Sequence, residues 1–183
     1  LVGMQADSNS VTAGYAGAVP GYVFLNRNAF PIETKPKAGA CITFYPGAAY
    51  YATTGWNLVS VSTIPASYAK TAAYPGATSS AFKYKGSYQT EAVLRNGPGY
   101  WLKYAQRTYA GAPGYPITNL YDSVASGWNM IGTPSRPVPV ASVVANNAAV
   151  TSQYFYYSGT GYAIPTSPAS LVPGRGYWAK TSV

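Results

Sequence analysis

Histidine is absent from this chain, and cysteine occurs once, at Cys41. Without an imidazole, neither a Ser-His nor a Cys-His nucleophile–base pair can be assembled, and the commonest transition-metal ligand is missing. A single thiol allows no internal disulfide, and with no histidine it cannot build a structural zinc site. Carboxylates are almost as scarce. Asp7, Glu33, Glu91 and Asp122 are the only four, each alone in its neighbourhood. Glycosidases place two carboxyl groups across the scissile bond, and calcium sites gather several oxygen ligands, so neither chemistry has its usual material here. The chain is therefore read as a non-enzyme with no cofactor and no metal. No apolar run approaches the length of a membrane span.

Twelve basic residues against four acidic ones give a formal net charge of +8. The basic residues are scattered and form neither the patch nor the stripe of a nucleic-acid footprint, so nucleic acid is not an expected partner. Lysines along strands also discourage edge-to-edge pairing, which accounts for part of the excess. Cys41 is open to two readings, a small buried hydrophobe or an intermolecular crosslink. The start at Leu1 rather than methionine suggests a processed or excised product. A Tyr-, Thr-, Ser-, Gly- and Asn-rich chain with few charges points to a secreted, surface-associated protein.

What the chain does have is tyrosine, nineteen of them, with four tryptophans and thirty-four glycines and prolines in 183 residues. Frequent turns, β-branched and aromatic runs and few good helix formers predict an all-β protein. The chain also repeats itself. Gly55-Trp56-Asn57 returns as Gly127-Trp128-Asn129, 72 positions on; Phe82-Lys83-Tyr84-Lys85-Gly86 as Phe155-Tyr156-Tyr157-Ser158-Gly159, 73 on; Gly97–Lys103 as Gly174–Lys180, 77 on. Loop insertions in a duplicated unit produce such a drift. The expected organisation is an N-terminal arm and strand-rich extension over 1–54, a first repeat over 55–104, a linker over 105–126 and a second repeat over 127–183. The two β-rich halves are expected to form sandwich- or barrel-like layers, with the arm docked on the first half or on a neighbouring subunit.

Within each repeat the alternation assigns faces. Trp56 and Leu58 share one face and Val59 and Val61 the other; apolar residues on both faces predict a central strand covered on both sides. Residues 65–73 and 138–149 suit a short helical turn begun by Pro65 or Pro139. Hairpins are expected around Lys85-Gly86 and around 158–161, and the closing strands at 100–104 and 177–181. Gly97-x-Gly99 and Gly174-x-Gly176 read as sites of close backbone approach rather than phosphate loops.

This order, from Gly-Trp-Asn through the hairpin to Gly-Tyr-Trp-x-Lys, resembles the GWN…GYW β-modules of large exported bacterial proteins over about residues 55–183. The resemblance implies a module that accompanies adhesive, scaffolding or surface functions, and no particular activity. The leading functional expectation is a self-assembling subunit of a surface filament or layer, with tyrosine-bearing faces as subunit contacts. The alternative is a carbohydrate-binding or adhesion module with exposed aromatic platforms. Candidate interface or platform residues are Tyr15, Tyr50, Tyr51, Trp101, Tyr109, Tyr115, Tyr156 and Trp178. Trp56 and Trp128 are assigned to the core, and a core place is the leading reading for Trp101 and Trp178 as well. The expected partners are other copies of the chain or polysaccharide.

Overall fold

The computed structural model describes residues 50–182. The arm's expected strands near 21–26 and 41–45, together with Tyr15 and Cys41, lie outside the described residues. Within them the protein is all-β, and every strand pair is antiparallel.

The first half is built on a four-stranded sheet. Its strands are β2 (Gly55–Ser60), β4 (Ala81–Tyr84), β5 (Tyr88–Glu91) and β6 (Gly99–Tyr104), in the order β2-β6-β4-β5. Two ribbons accompany it: β1 (Tyr50–Ala52) with β7 (Thr108–Ala110), and β3 (Thr63–Pro65) with β8 (Gly114–Pro116). A single helical turn, α1 (Lys70–Ala73), follows β3. The expected turn is thus present but starts later, because Pro65 is still paired in β3. Part of the expected linker is in strands, since β7 and β8 return to pair with the first half.

In the second half, β9 (Gly127–Ile131) and β11 (Ala149–Val150) flank β15 (Tyr177–Ser182). Short pairs β10 (Val138–Pro139) with β14 (Ser170–Leu171), and β12 (Tyr156–Tyr157) with β13 (Tyr162–Ala163), complete it. A 3-10 turn spans Val140–Ser142. The sheets remain open, and no barrel closes among the described residues.

The repeated sequences make the same bonds. Gly55 and Gly127 adopt φ of 92° and 98°, a left-handed region that favours glycine. The asparagine two residues on then clasps the preceding turn. Asn57 accepts from the Thr53 amide at 2.9 Å and donates to the Thr53 carbonyl at 2.8 Å. Asn129 repeats this with Ala125, at 3.1 and 2.8 Å. In the closing strands, the tyrosine of Gly-Tyr-Trp points inward. Its hydroxyl accepts a backbone N–H five residues earlier: Arg95 on Tyr100 at 3.0 Å, Val172 on Tyr177 at 2.7 Å. A buried amide left unpaired costs about 1–3 kcal/mol, so these phenols are structural. Burial pushes Tyr100 up to about 12 and also raises Tyr177, in both cases by desolvation of the phenolate.

The strands β2 and β9 are edge strands of their sheets, contrary to the expected central position. Their two-faced apolar pattern has another cause. One face lies on the half's own core, and the other meets the opposite half. Each edge is covered at one end by the other half's backbone: the Ser60 amide donates to the Gly174 carbonyl, the Gly176 amide to the Leu58 carbonyl, and the Gly132 amide to the Gly97 carbonyl. Val59 bridges Arg175 as Ile131 bridges Pro98. These contacts are reciprocal, the pattern of an isologous two-fold interface inside one chain. Glycine is required at its centre. A Cβ on Gly176 would stand 2.9 Å from both Leu58 Cγ and the Val59 carbonyl oxygen, and one on Gly99 would stand 3.2 Å from the Ile131 carbonyl oxygen. The expected close approach at these glycines is present.

Candidate functional site: two aromatic clefts

Each half turns a row of aromatic side chains toward the other. In the first, Trp56 and Leu58 of β2, Phe82 and Tyr84 of β4 and Trp101 of β6 share one face, opposite the core-facing Val59, Ala81 and Leu102. The second half supplies Trp128, Met130, Phe155, Tyr157 and Trp178. Leu58, Met130 and Trp178 form the buried centre, with Tyr84, Trp101, Phe155 and Tyr157 packed around it. Full burial of one such aliphatic side chain stabilises by about 1.5–3 kcal/mol.

On either side of this seam lies a cleft. The first, of about 410 Å³, is lined by Trp56, Phe82, Tyr88, Trp101 and, from the second half, Tyr157. The second, of about 420 Å³, is lined by Trp128, Phe155, Tyr162, Trp178 and, from the first half, Tyr84. Advancing each residue of the first by its repeat offset (72, 73, 74, 77) yields four residues of the second; the fifth, Tyr157, maps back to Tyr84. The clefts are counterparts, and each needs both halves.

Their ring geometry corresponds too. Trp101 meets Tyr157 edge-on at 5.1 Å and Trp178 meets Tyr84 edge-on at 5.0 Å, and these reciprocal pairs close the seam. At the mouths, Trp56 leans on Phe82 at 5.8 Å and Trp128 on Phe155 at 6.0 Å. Edge-to-face pairs of this kind contribute about 0.5–1.5 kcal/mol each beyond their burial. Trp56 and Trp128 are 41% and 44% exposed, and Tyr88 and Tyr162 are 55% and 56% exposed. The walls are therefore open to solvent, while the less exposed Trp101 and Trp178 form the floors. The Trp178 Nε1–H is buried without a full hydrogen bond, and the polar group it acts on is the Tyr162 hydroxyl. Burial raises that phenol above its ordinary value, with the indole N–H opposing the rise.

Trp56 and Trp128 are thus cleft walls, contrary to their assignment to the core. They stand on edge strands, and the opposite half covers only the inner part of the aromatic row. Of the candidate residues among those described, Trp101 and Trp178 fall in the two clefts, and Tyr50, Tyr51, Tyr109, Tyr115 and Tyr156 do not join them. Tyr50 is buried and Tyr156 half-buried, and both face Arg175, whose guanidinium lies 4.2 Å from the Tyr156 ring and 5.6 Å from that of Tyr50. Tyr51 and Tyr109 form an edge-on pair on the β1–β7 ribbon, with Arg107 over Tyr51. Tyr115 stands on β8, 62% exposed. The residues not anticipated, Phe82, Tyr84, Tyr88, Phe155, Tyr157 and Tyr162, shared one signal: each aromatic recurs as an aromatic at the repeat offset.

Comparison with known proteins yields no match: no family model fits the chain, and neither a curated protein nor a solved structure resembles it significantly.

Proposed function

We propose that this protein is a non-catalytic carbohydrate-binding module, extracellular and adhesive in role, that holds sugar rings in its two aromatic clefts. One observation carries the reading: two counterpart concavities, each walled, among the described residues, by five aromatic side chains and no other residue type. Such surfaces accept the apolar C–H faces of a pyranose, and a concave apolar site with few competing polar groups is the usual form of a small-ligand site. None of the lining side chains is a carboxylate, thiol or imidazole, which supports binding without turnover. The resemblance to modules of exported bacterial proteins agrees with this role.

The test uses the exposed walls, because the floors also hold the seam. Stacking a flat ligand on one aromatic ring is worth about 1–3 kcal/mol in nucleic-acid binding, and a sugar on one indole sets a similar scale. The double variant Trp56→Ala/Trp128→Ala is expected to lose retardation in polysaccharide affinity gels by roughly tenfold or more, with its circular dichroism unchanged. Unaltered retardation would overturn the reading.

A second reading, self-assembly into a filament or layer, is favoured by the β3–β8 ribbon. There Ile64, 48% exposed, pairs directly with Tyr115 at 62%. Two apolar side chains open on a two-stranded ribbon suit a subunit contact. Negative-stain microscopy and light scattering over a range of concentrations decide it; a monodisperse monomer at every concentration would remove it.

A further inference from the structure

We infer that the clefts select acidic sugars, those whose pyranose ring carries a carboxylate or sulfate, and that one chain holds two of them. This rests on the carbohydrate reading above and names the ligand class. The register carries it. Lys103 pairs directly with Trp56 across β6 and β2, and Lys180 pairs directly with Trp128 across β15 and β9. Directly paired residues of an antiparallel ladder project to the same face, with Cβ atoms about 4.5–5.5 Å apart. Each exposed indole wall therefore has a lysine as its direct cross-strand neighbour on the same face. Both lysines are exposed, and neither forms an ion pair among the described residues.

The two acidic residues among the described ones, Glu91 and Asp122, are placed elsewhere. Glu91 pairs across the hairpin with Ala81, on the core-facing side of the sheet, and is bound by Lys83. Asp122 is bound by Arg95 at 2.9 Å. Among the described residues no carboxylate lines either cleft. A ring stacked on Trp56 or Trp128 would lie within reach of a lysine that no described carboxylate pairs with, and an anionic substituent there gains Coulomb attraction and a charge-assisted hydrogen bond. A neutral sugar gains only the stacking. The two Trp–Lys pairs occupy counterpart positions, so the preference applies to both clefts.

The experiment titrates the full chain with a short oligogalacturonate and with a sulfated oligosaccharide, against a neutral oligoglucoside. Wild type is expected to bind two acidic oligosaccharides per chain, at least tenfold more tightly than the neutral one. Lys103→Gln/Lys180→Gln is expected to remove that preference while keeping the neutral affinity. Arg107→Gln/Arg136→Gln removes the same charge from residues that engage Tyr51 and the Thr118 carbonyl instead, and is expected to keep the preference. Binding of only one of the two acidic probes would restrict the inference to carboxylated or to sulfated sugars. Equal affinity of wild type for acidic and neutral probes would overturn it, as would equal losses in the two double variants. If Trp56→Ala/Trp128→Ala binds every probe like wild type, the carbohydrate reading falls; if it alone loses binding, only the acidic preference falls.

Discussion

The two halves present nearly the same aromatic face and support it differently. Behind the first face lies a cluster of fourteen buried residues, roofed by β1, α1 and the 108–112 segment. Behind the second lie four, Tyr154, Leu171, Tyr177 and Ala179, with a fringe of half-buried valines, Ile131 and Tyr156. The difference is clearest beside the closing strand. Phe82 pairs with Trp101, which sets Ala81 against Leu102 on the inner face; Phe155 bridges Trp178, which sets Tyr154 against Ala179. Small faces large in both, with the roles exchanged. Interiors tolerate such volume-conserving swaps and penalise unmatched ones. The outer row cannot be traded in this way, because each cleft borrows a tyrosine from the other half, and a change on one side alters both.

That comparison can be broken at its volume pairs. Leu102→Ala leaves two alanines facing each other in the deep core and should destabilise by about 2–5 kcal/mol. Tyr154→Ala does the same in the second half, where the shallow core can relax, and should cost less than Leu102→Ala. The double exchange Ala81→Tyr/Leu102→Ala, which copies the second half's arrangement, should recover part of the loss. Denaturant midpoints with unchanged slope are the measurement, and a double variant less stable than Leu102→Ala alone would contradict the volume argument.

A smaller difference separates the two asparagine clasps. Asn57 is buried and its Oδ1 also receives the Tyr50 hydroxyl at 3.2 Å, whereas Asn129 is half-buried with solvent at hand. Asn57→Ala strands buried partners and should cost about 1–3 kcal/mol, while Asn129→Ala should cost about 1 kcal/mol or less. Thermal unfolding of both variants checks the order; equal losses would mean that burial does not separate the two turns.

The gentlest probe is alkali. The largest upward tyrosine shifts, at Tyr74, Tyr100 and Tyr104, all lie in the first half, and burial causes each. An unfolded phenol ionises near 10.0, whereas Tyr100 holds its proton to about 12. Between those values the unfolded chain binds fewer protons than the folded one, so stability falls as pH rises. The protection is complete below pH 10.0 and lost progressively toward pH 12. The expected result is a denaturant midpoint that declines across this window together with tyrosinate absorbance; a flat midpoint would contradict the burial of these phenols.

Much of the fold was legible in the chain. Alternation placed Trp56 with Leu58, and the Gly-x-Gly pairs marked where backbones come close, because strand periodicity and the absence of a Cβ are local properties. The hairpins and closing strands followed for the same reason. Less was legible of the site. Trp56 and Trp128 read as core residues because an apolar side chain on a two-faced strand looks the same whether its second cover is complete or partial. Tyr50, Tyr51, Tyr109, Tyr115 and Tyr156 read as one class with Trp101 and Trp178, though they lie on different elements. By itself the sequence determined the β architecture, the repeated turns and the rows of aromatics. Only the tertiary structure decided that the two rows face one another with reciprocal backbone bonds, and that packing against Leu58 and Met130 leaves two open clefts. The reason is physical: alternation specifies the face a side chain takes, while the partner of that face depends on contacts more than seventy residues away.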